Sequence, residues 1–204
     1  KADLDLADPE GTSPLVLALM NAHWDAAKLL VNAGADVNLW DFWGQSPLYM
    51  AVDLNTLPTG ARVELPGLDK ATGIELIQLL LARGANPNVQ LKLRIPLRNA
   101  VQDRQSDLML TTGTTPLLRA SKAADLPAMR ALLDAGAQVN LANELGYTPL
   151  LAAAGAGRGN SPTRNGLKTE DMAIDAVKML VAAGADLNAR GADNETALMG
   201  AAYR

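Results

Sequence analysis

Gly11-Thr12-Ser13-Pro14-Leu15 returns as Gly44-Gln45-Ser46-Pro47-Leu48, Gly113-Thr114-Thr115-Pro116-Leu117 and Gly146-Tyr147-Thr148-Pro149-Leu150, with a degenerate copy at Asn194-Glu195-Thr196-Ala197-Leu198. Each residue of the phrase has a role in starting a helix. The hydroxyl of Ser13, Ser46, Thr115, Thr148 or Thr196 accepts from the free amides of the first turn. Pro14, Pro47, Pro116 and Pro149 then occupy the first helical position, where no donor is needed. Leu follows in every copy, and three residues later stands Ala18, Ala51, Ala120, Ala153 or Ala201. One large and one small apolar side chain on a common helix face predict close packing between the helices of successive copies.

A second phrase closes each unit: Gly34-Ala35-Asp36-Val37-Asn38, Gly84-Ala85-Asn86-Pro87-Asn88, Gly136-Ala137-Gln138-Val139-Asn140 and Gly184-Ala185-Asp186-Leu187-Asn188. Lys1-Ala2-Asp3-Leu4-Asp5 is the same phrase without its glycine. The glycines stop a second helix, because a left-handed residue there costs Gly no Cβ clash. Leu30, Leu80, Leu132 and Leu180 stand four residues before them and are expected in the core between units. The closing Asn is a turn residue able to bond its own backbone. From Gly11 to Gly34 is 23 residues and from Gly34 to Gly44 is 10, a period of 33. A sequence with that period is a stacked repeat array, in which neighbouring units bury a continuous core.

Both phrases, at that phase, resemble the ankyrin repeat over essentially the whole chain. The resemblance implies an all-α helical solenoid with short β-hairpin fingers. The expected organisation is one domain: a partial unit at 1–7, units at about 8–40, 41–90, 110–142 and 143–190, and a partial unit at 191–204. The family has a histidine after Thr-Pro-Leu; here that slot holds Val16, Tyr49, Leu118, Leu151 and Met199, which removes the hydrogen bonding that histidine supplies. The single histidine, His23, falls in the turn between the two helices of the first full unit, a structural position. By resemblance the chain is a non-catalytic protein-binding module that presents its finger tips and inner-helix face. The alternative is a structural or accessory segment of a larger enzyme or redox assembly, packed on a neighbouring domain. Because the chain opens in a closing phrase and stops after a first helix, it is expected to be a segment of a longer protein.

The array departs from its period at three places, and loops inserted into repeats are where recognition concentrates. Relative to the regular spacing, 17 extra residues fall around 57–73, 15 around 155–168 and 19 around 89–112. The first two lie between the helices of their units and are expected on one edge of the stack. The third swells a finger and is expected on the opposite edge. Such inserts resemble those of bacterial ankyrin proteins, some of which are exported, and this tilts localisation toward an exported or periplasmic one. The enlarged finger carries Lys92, Arg94, Arg98 and Arg104 against Asp103 and Asp107, so it is locally basic in a chain of net charge −4. Trp40, Phe42 and Trp43 crowd the first finger, where the fourth unit has Ala142, Glu144 and Leu145. The core does not need bulky rings there. They are expected either to contact a partner protein, as Trp often does at interfaces, or to pack on the enlarged finger or the preceding unit and stiffen the array. Trp40, Phe42 and Trp43, then Lys92, Arg94 and Arg98, are therefore the candidate protein-binding residues.

Composition narrows the chemistry. There is no cysteine and one histidine, so no Cys/His constellation and no histidine zinc cluster can be assembled, and a Ser/His/Asp arrangement would rest on that single imidazole. No catalytic residue, cofactor or metal is expected. Gly155-Ala156-Gly157-Arg158-Gly159-Asn160 superficially resembles a phosphate loop but follows an Ala-rich helix and lacks the Lys-Ser/Thr pair. Glu170 and Asp171 read as first-turn acids that complement a helix dipole. The net negative charge gives no general pull toward nucleic acid. No apolar run of 18 or more residues predicts a membrane span.

Overall fold

The computed structural model describes residues 2–56, 69–94, 109–156 and 168–202. Most of each insert, at 57–68, 95–108 and 157–167, lies outside these residues, and with it the expected placement of the three inserts on opposite edges.

Nine α-helices are present among the described residues: α1 (Pro14–Met20), α2 (Trp24–Ala33), α3 (Pro47–Thr56), α4 (Gly73–Ala82), α5 (Pro116–Ala123), α6 (Leu126–Asp134), α7 (Pro149–Ala154), α8 (Glu170–Ala182) and α9 (Ala197–Ala202). A 3₁₀ turn at Ala192–Asn194 precedes α9. The helices form two layers. In the inner layer α1, α3, α5, α7 and α9 pack in succession; in the outer layer α2, α4, α6 and α8 do the same, and α1, α3, α5 and α7 each pair with the outer helix that follows. Every unit thus buries its apolar faces against its neighbours, as a repeat array must.

The helix starts follow the first phrase. Ser13, Ser46, Thr115, Thr148 and Thr196 accept from the amides of Val16, Tyr49, Leu118, Leu151 and Met199 at 3.1–3.4 Å. Leu15, Leu48, Leu117 and Leu150 are buried, as are Ala51, Ala120 and Ala153 beside them, while Ala18 is half-buried. Leu198 differs: it is 81% exposed, because α9 packs on α7 and no described helix lies on its other side. The slots occupied by Val16, Tyr49, Leu118 and Leu151 are fully buried, so packing stands where the histidine bond would be. Leu118 and Leu151 join Met109, Leu110 and Tyr147 in a second apolar cluster.

The second phrase closes the outer helices as expected. Gly34, Gly84, Gly136 and Gly184 have φ between 86° and 96°, and the following Ala amide reaches back to Leu30, Leu80, Leu132 or Leu180 at 2.9–3.1 Å. Those carbonyls would otherwise be orphaned at the helix end. The last three leucines are completely buried and Leu30 is half-buried. The closing Asn does something other than bond its own backbone. Asn38, Asn88 and Asn140 donate from Nδ2 to the next unit's Gly84, Gly136 and Gly184 carbonyls, and accept at Oδ1 from the next unit's Asn86, Gln138 and Asp186 amides. The self-bonding turn belongs to the residue two earlier, at Asp36, Asn86 and Asp186. Asn is suited to this bridge because its amide is donor and acceptor at once.

Two polar devices tie specific units together. The outer helices α4, α6 and α8 are capped by Thr72, Asp125 and Thr169, whereas His23, exposed at the start of α2, makes no side-chain cap. The Asp25 amide is satisfied instead by Asp69 Oδ1, 3.0 Å away, and the Asp25 carboxylate accepts from the Lys70 and Ala71 amides at 2.9 Å. This is a capping exchange across two units. Between the inner helices, Arg119 Nε donates to Asp53 Oδ1 at 2.7 Å with both side chains buried.

Two outcomes test this account. Leu132→Ala, which empties a fully buried site, is expected to lower unfolding free energy by about 2–5 kcal/mol in denaturant titration. The amides of Lys70 and Ala71 hold the Asp25 carboxyl below its ordinary value of 3.8. A depressed folded-state pKa means the stabilisation is present above 3.8 and lost as pH falls below it. Asp25→Asn should therefore flatten stability against pH in that acid window, and an unchanged slope would remove the role given to this clamp.

Candidate functional site

The fingers are the segments between an outer helix and the next inner helix. Among the described residues they are tight turns rather than paired strands. In the first, Gly44 N donates to the Asp41 carbonyl at 2.8 Å, and the buried Asp41 carboxylate accepts from the Trp43 and Gln45 amides at 3.0 and 2.9 Å. Asn143 does the same for Leu145 and Tyr147, and Asp8 for Glu10 and Thr12. The two residues after each Asp or Asn are thereby pushed outward: Glu10 with Pro9, Phe42 with Trp43, Glu144 with Leu145. The sequence signal is an Asp or Asn three residues before the phrase glycine, at Asp8, Asp41 and Asn143. The sequence reading passed over these supporting residues.

Neighbouring tips are joined through backbone hydrogen bonds. Phe42 N donates to the Glu10 carbonyl at 2.8 Å, Lys92 N and Leu93 N both donate to the Trp43 carbonyl at 2.9 and 3.2 Å, and Glu144 N donates to the Thr112 carbonyl at 3.0 Å. The phrase glycine permits this. A Cβ on Gly44 would stand 2.6 Å from Lys92 N, and its φ of +81° is unfavourable to any side chain.

This geometry merges the aromatic and basic candidates into one patch. The Lys92 ammonium lies 3.1 Å from the centre of the Trp40 ring, a cation–π contact. Phe42 and Trp43 meet edge to face with ring centres 5.6 Å apart. Trp43 is half-buried, whereas Phe42 is 63%, Trp40 48% and Leu93 41% exposed. Arg94 is exposed two residues beyond Lys92. Arg98, with Asp103, Arg104 and Asp107, lies outside the described residues. The Trp40 ring contacts Lys92 of the enlarged finger, the Trp43 carbonyl accepts from the Lys92 and Leu93 amides, and Phe42 is exposed beside them.

Among the described residues no group of three His, Asp or Glu side chains could hold a metal ion, and no helix is long and apolar enough to cross a membrane. Gly155 ends α7 at φ 89°, with Ala156 N reaching back to the Leu151 carbonyl; 157–160 lie outside the described residues. Glu170 and Asp171 follow the Thr169 cap in the first turn of α8.

The family descriptions "Ankyrin repeat" and "Ankyrin repeats (many copies)" match residues 10–42 and 145–192, and 117–161, respectively. The chain belongs to the ankyrin repeat family. It is similar to the ankyrin repeat domain of Acinetobacter baumannii AYE, with a TM-score of 0.71 and 25% identity, covering 100% of this chain and 81% of that one. It is 30% identical to the B-cell lymphoma 3 protein homolog of Mus musculus over 152 residues, 74% of this chain and 26% of that protein. It is 29% identical to the neurogenic locus notch homolog protein 1 of Homo sapiens over 143 residues, 70% of this chain and 4% of that protein. The chain therefore spans about a quarter or less of these curated relatives. Ankyrin repeats are in general non-catalytic protein–protein interaction modules.

Lys92→Ala should uncover the Trp40 ring. The expected result is stronger acrylamide quenching of tryptophan fluorescence, with a loss of stability of no more than about 0.5–1 kcal/mol, the range for an exposed cation–π pair.

Proposed function

We propose that this ankyrin domain binds a partner protein through the tips of its first and enlarged fingers, with Trp40 and Phe42 as apolar contacts and Lys92 and Arg94 as charged ones. The observation that carries the reading is the seating of Lys92 on Trp40 beside the outward Phe42, which makes one amphipathic patch of residues far apart in sequence. Exposed apolar clusters rimmed by charge are features of interaction surfaces. Three of the five inner helices have little exposed surface. Every residue of α7, all but Asn55 in α3 and all but Lys122 in α5 are buried. A rigid tip held by the Asp41 turn and by its neighbours loses little conformational entropy when it docks. The domain is one array over 1–204 in this reading, and it does no chemistry of its own.

A pull-down with the immobilised chain tests this. The Trp40→Ala/Phe42→Ala pair is expected to keep its thermal midpoint and to bind its partner at least about tenfold more weakly, as hot-spot truncations do. A folded double variant that retains every wild-type partner would overturn the assignment.

A further inference from the structure

Resting on the finger-tip reading, we infer that the occupant of this patch is a peptide segment carrying a carboxylate next to one large apolar side chain, with the acid on Lys92 and the apolar group on Phe42 and Leu93. Three observations set this chemistry. The first is apolar area: Phe42 and Leu93 are 63% and 41% exposed, and Leu93 is held beside Trp43 by its bond to the Trp43 carbonyl. Together they offer a site for a leucine or an aromatic ring.

The second is the state of the cation. Lys92 is held over Trp40, so part of the rotamer entropy a lysine loses on forming an ion pair is already spent in the free protein. The π face engages only the side of the ammonium turned toward it, and an ammonium has three donors. A carboxylate can therefore dock on the solvent side of the ammonium without breaking the contact with Trp40.

The third is the charge pattern along the row of tips. The tip preceding this patch carries Glu10 and the tip following the enlarged finger carries Glu144, in a chain of net charge −4. A long run of acids, or a nucleic-acid backbone, is disfavoured by that net charge, whereas a single carboxylate meets one local cation at Lys92. The backbone groups along this row are used between tips, at Phe42 to Glu10 and at Lys92 and Leu93 to Trp43, so recognition falls to side chains rather than to strand addition.

The test is selection from a random dodecapeptide phage library on the full chain, repeated on Lys92→Glu and on Phe42→Ala, with circular dichroism and thermal midpoint confirming that each variant is folded. Wild type should enrich peptides with Asp or Glu adjacent to Leu, Phe or Trp. The synthetic consensus peptide should lose at least about tenfold in affinity on either variant, and should weaken as ionic strength rises. Lys92→Glu should enrich Lys or Arg in place of the acid. Peptides that depend on Phe42 but show no acidic bias and ignore Lys92→Glu would overturn this inference while leaving the finger-tip reading standing. Peptides indifferent to both variants, or no enrichment at all, would overturn both.

Discussion

Everything at the finger edge depends on backbone approaching backbone where a side chain would intervene. Gly44, Gly113 and Gly146 each face the next finger, and a Cβ on them would stand 2.6, 2.9 and 2.8 Å from Lys92 N, Asn143 Cα and the Arg190 carbonyl. All three also have φ near +80°, which a glycine adopts without strain. The glycines therefore do two jobs at once: they close their own turn and admit the neighbouring turn into hydrogen-bonding range. Because the second finger is seated this way on the first, Lys92 reaches Trp40 from more than one unit's length away in sequence. The local chemistry of the patch is thus a consequence of the array's register.

The closing asparagines act at the base of the same fingers. Asn38, Asn88 and Asn140 fasten each unit to the next through a paired donor and acceptor, so the spacing between units is fixed at the outer-helix ends as well as at the tips. With the fingers pinned at their bases and at their tips, the buried Leu and Ala rows of the inner layer pack along the described units, joined between α3 and α5 by the Asp53–Arg119 pair.

Much of this was legible from residues alone, and the reasons are local. A Ser or Thr before Pro and Leu caps a helix wherever it stands, and a Gly four residues after a buried Leu ends one, so the helices and their order followed from the two phrases. The core Leu and Ala positions followed from phase. What escaped reading depends on partners distant in sequence. The bridging role of Asn38 requires Gly84 and Asn86 from the following unit. The loss of a cap at His23 is offset by Asp69, 44 residues or more beyond α2's start. At the candidate site the residue types were visible, but the seating of Lys92 on Trp40 was not, because it depends on how two fingers of different length meet. The supporting Asp41 was overlooked for another reason: its role appears only when Asp8 and Asn143 are aligned beneath it.

The buried Asp53–Arg119 pair gives the array a different character from a uniform solenoid. In a stack held only by Leu and Ala, one unit is interchangeable with another, and copies can be gained or lost with little penalty. A charge on α3 answered by an opposite charge on α5 ends that interchangeability at one junction. Deleting or shuffling either unit alone would remove one partner of a buried ion pair, a change that typically costs about 3–5 kcal/mol. Exchange of either unit is thereby constrained at this junction, and the enlarged finger that supplies Lys92 lies between the two.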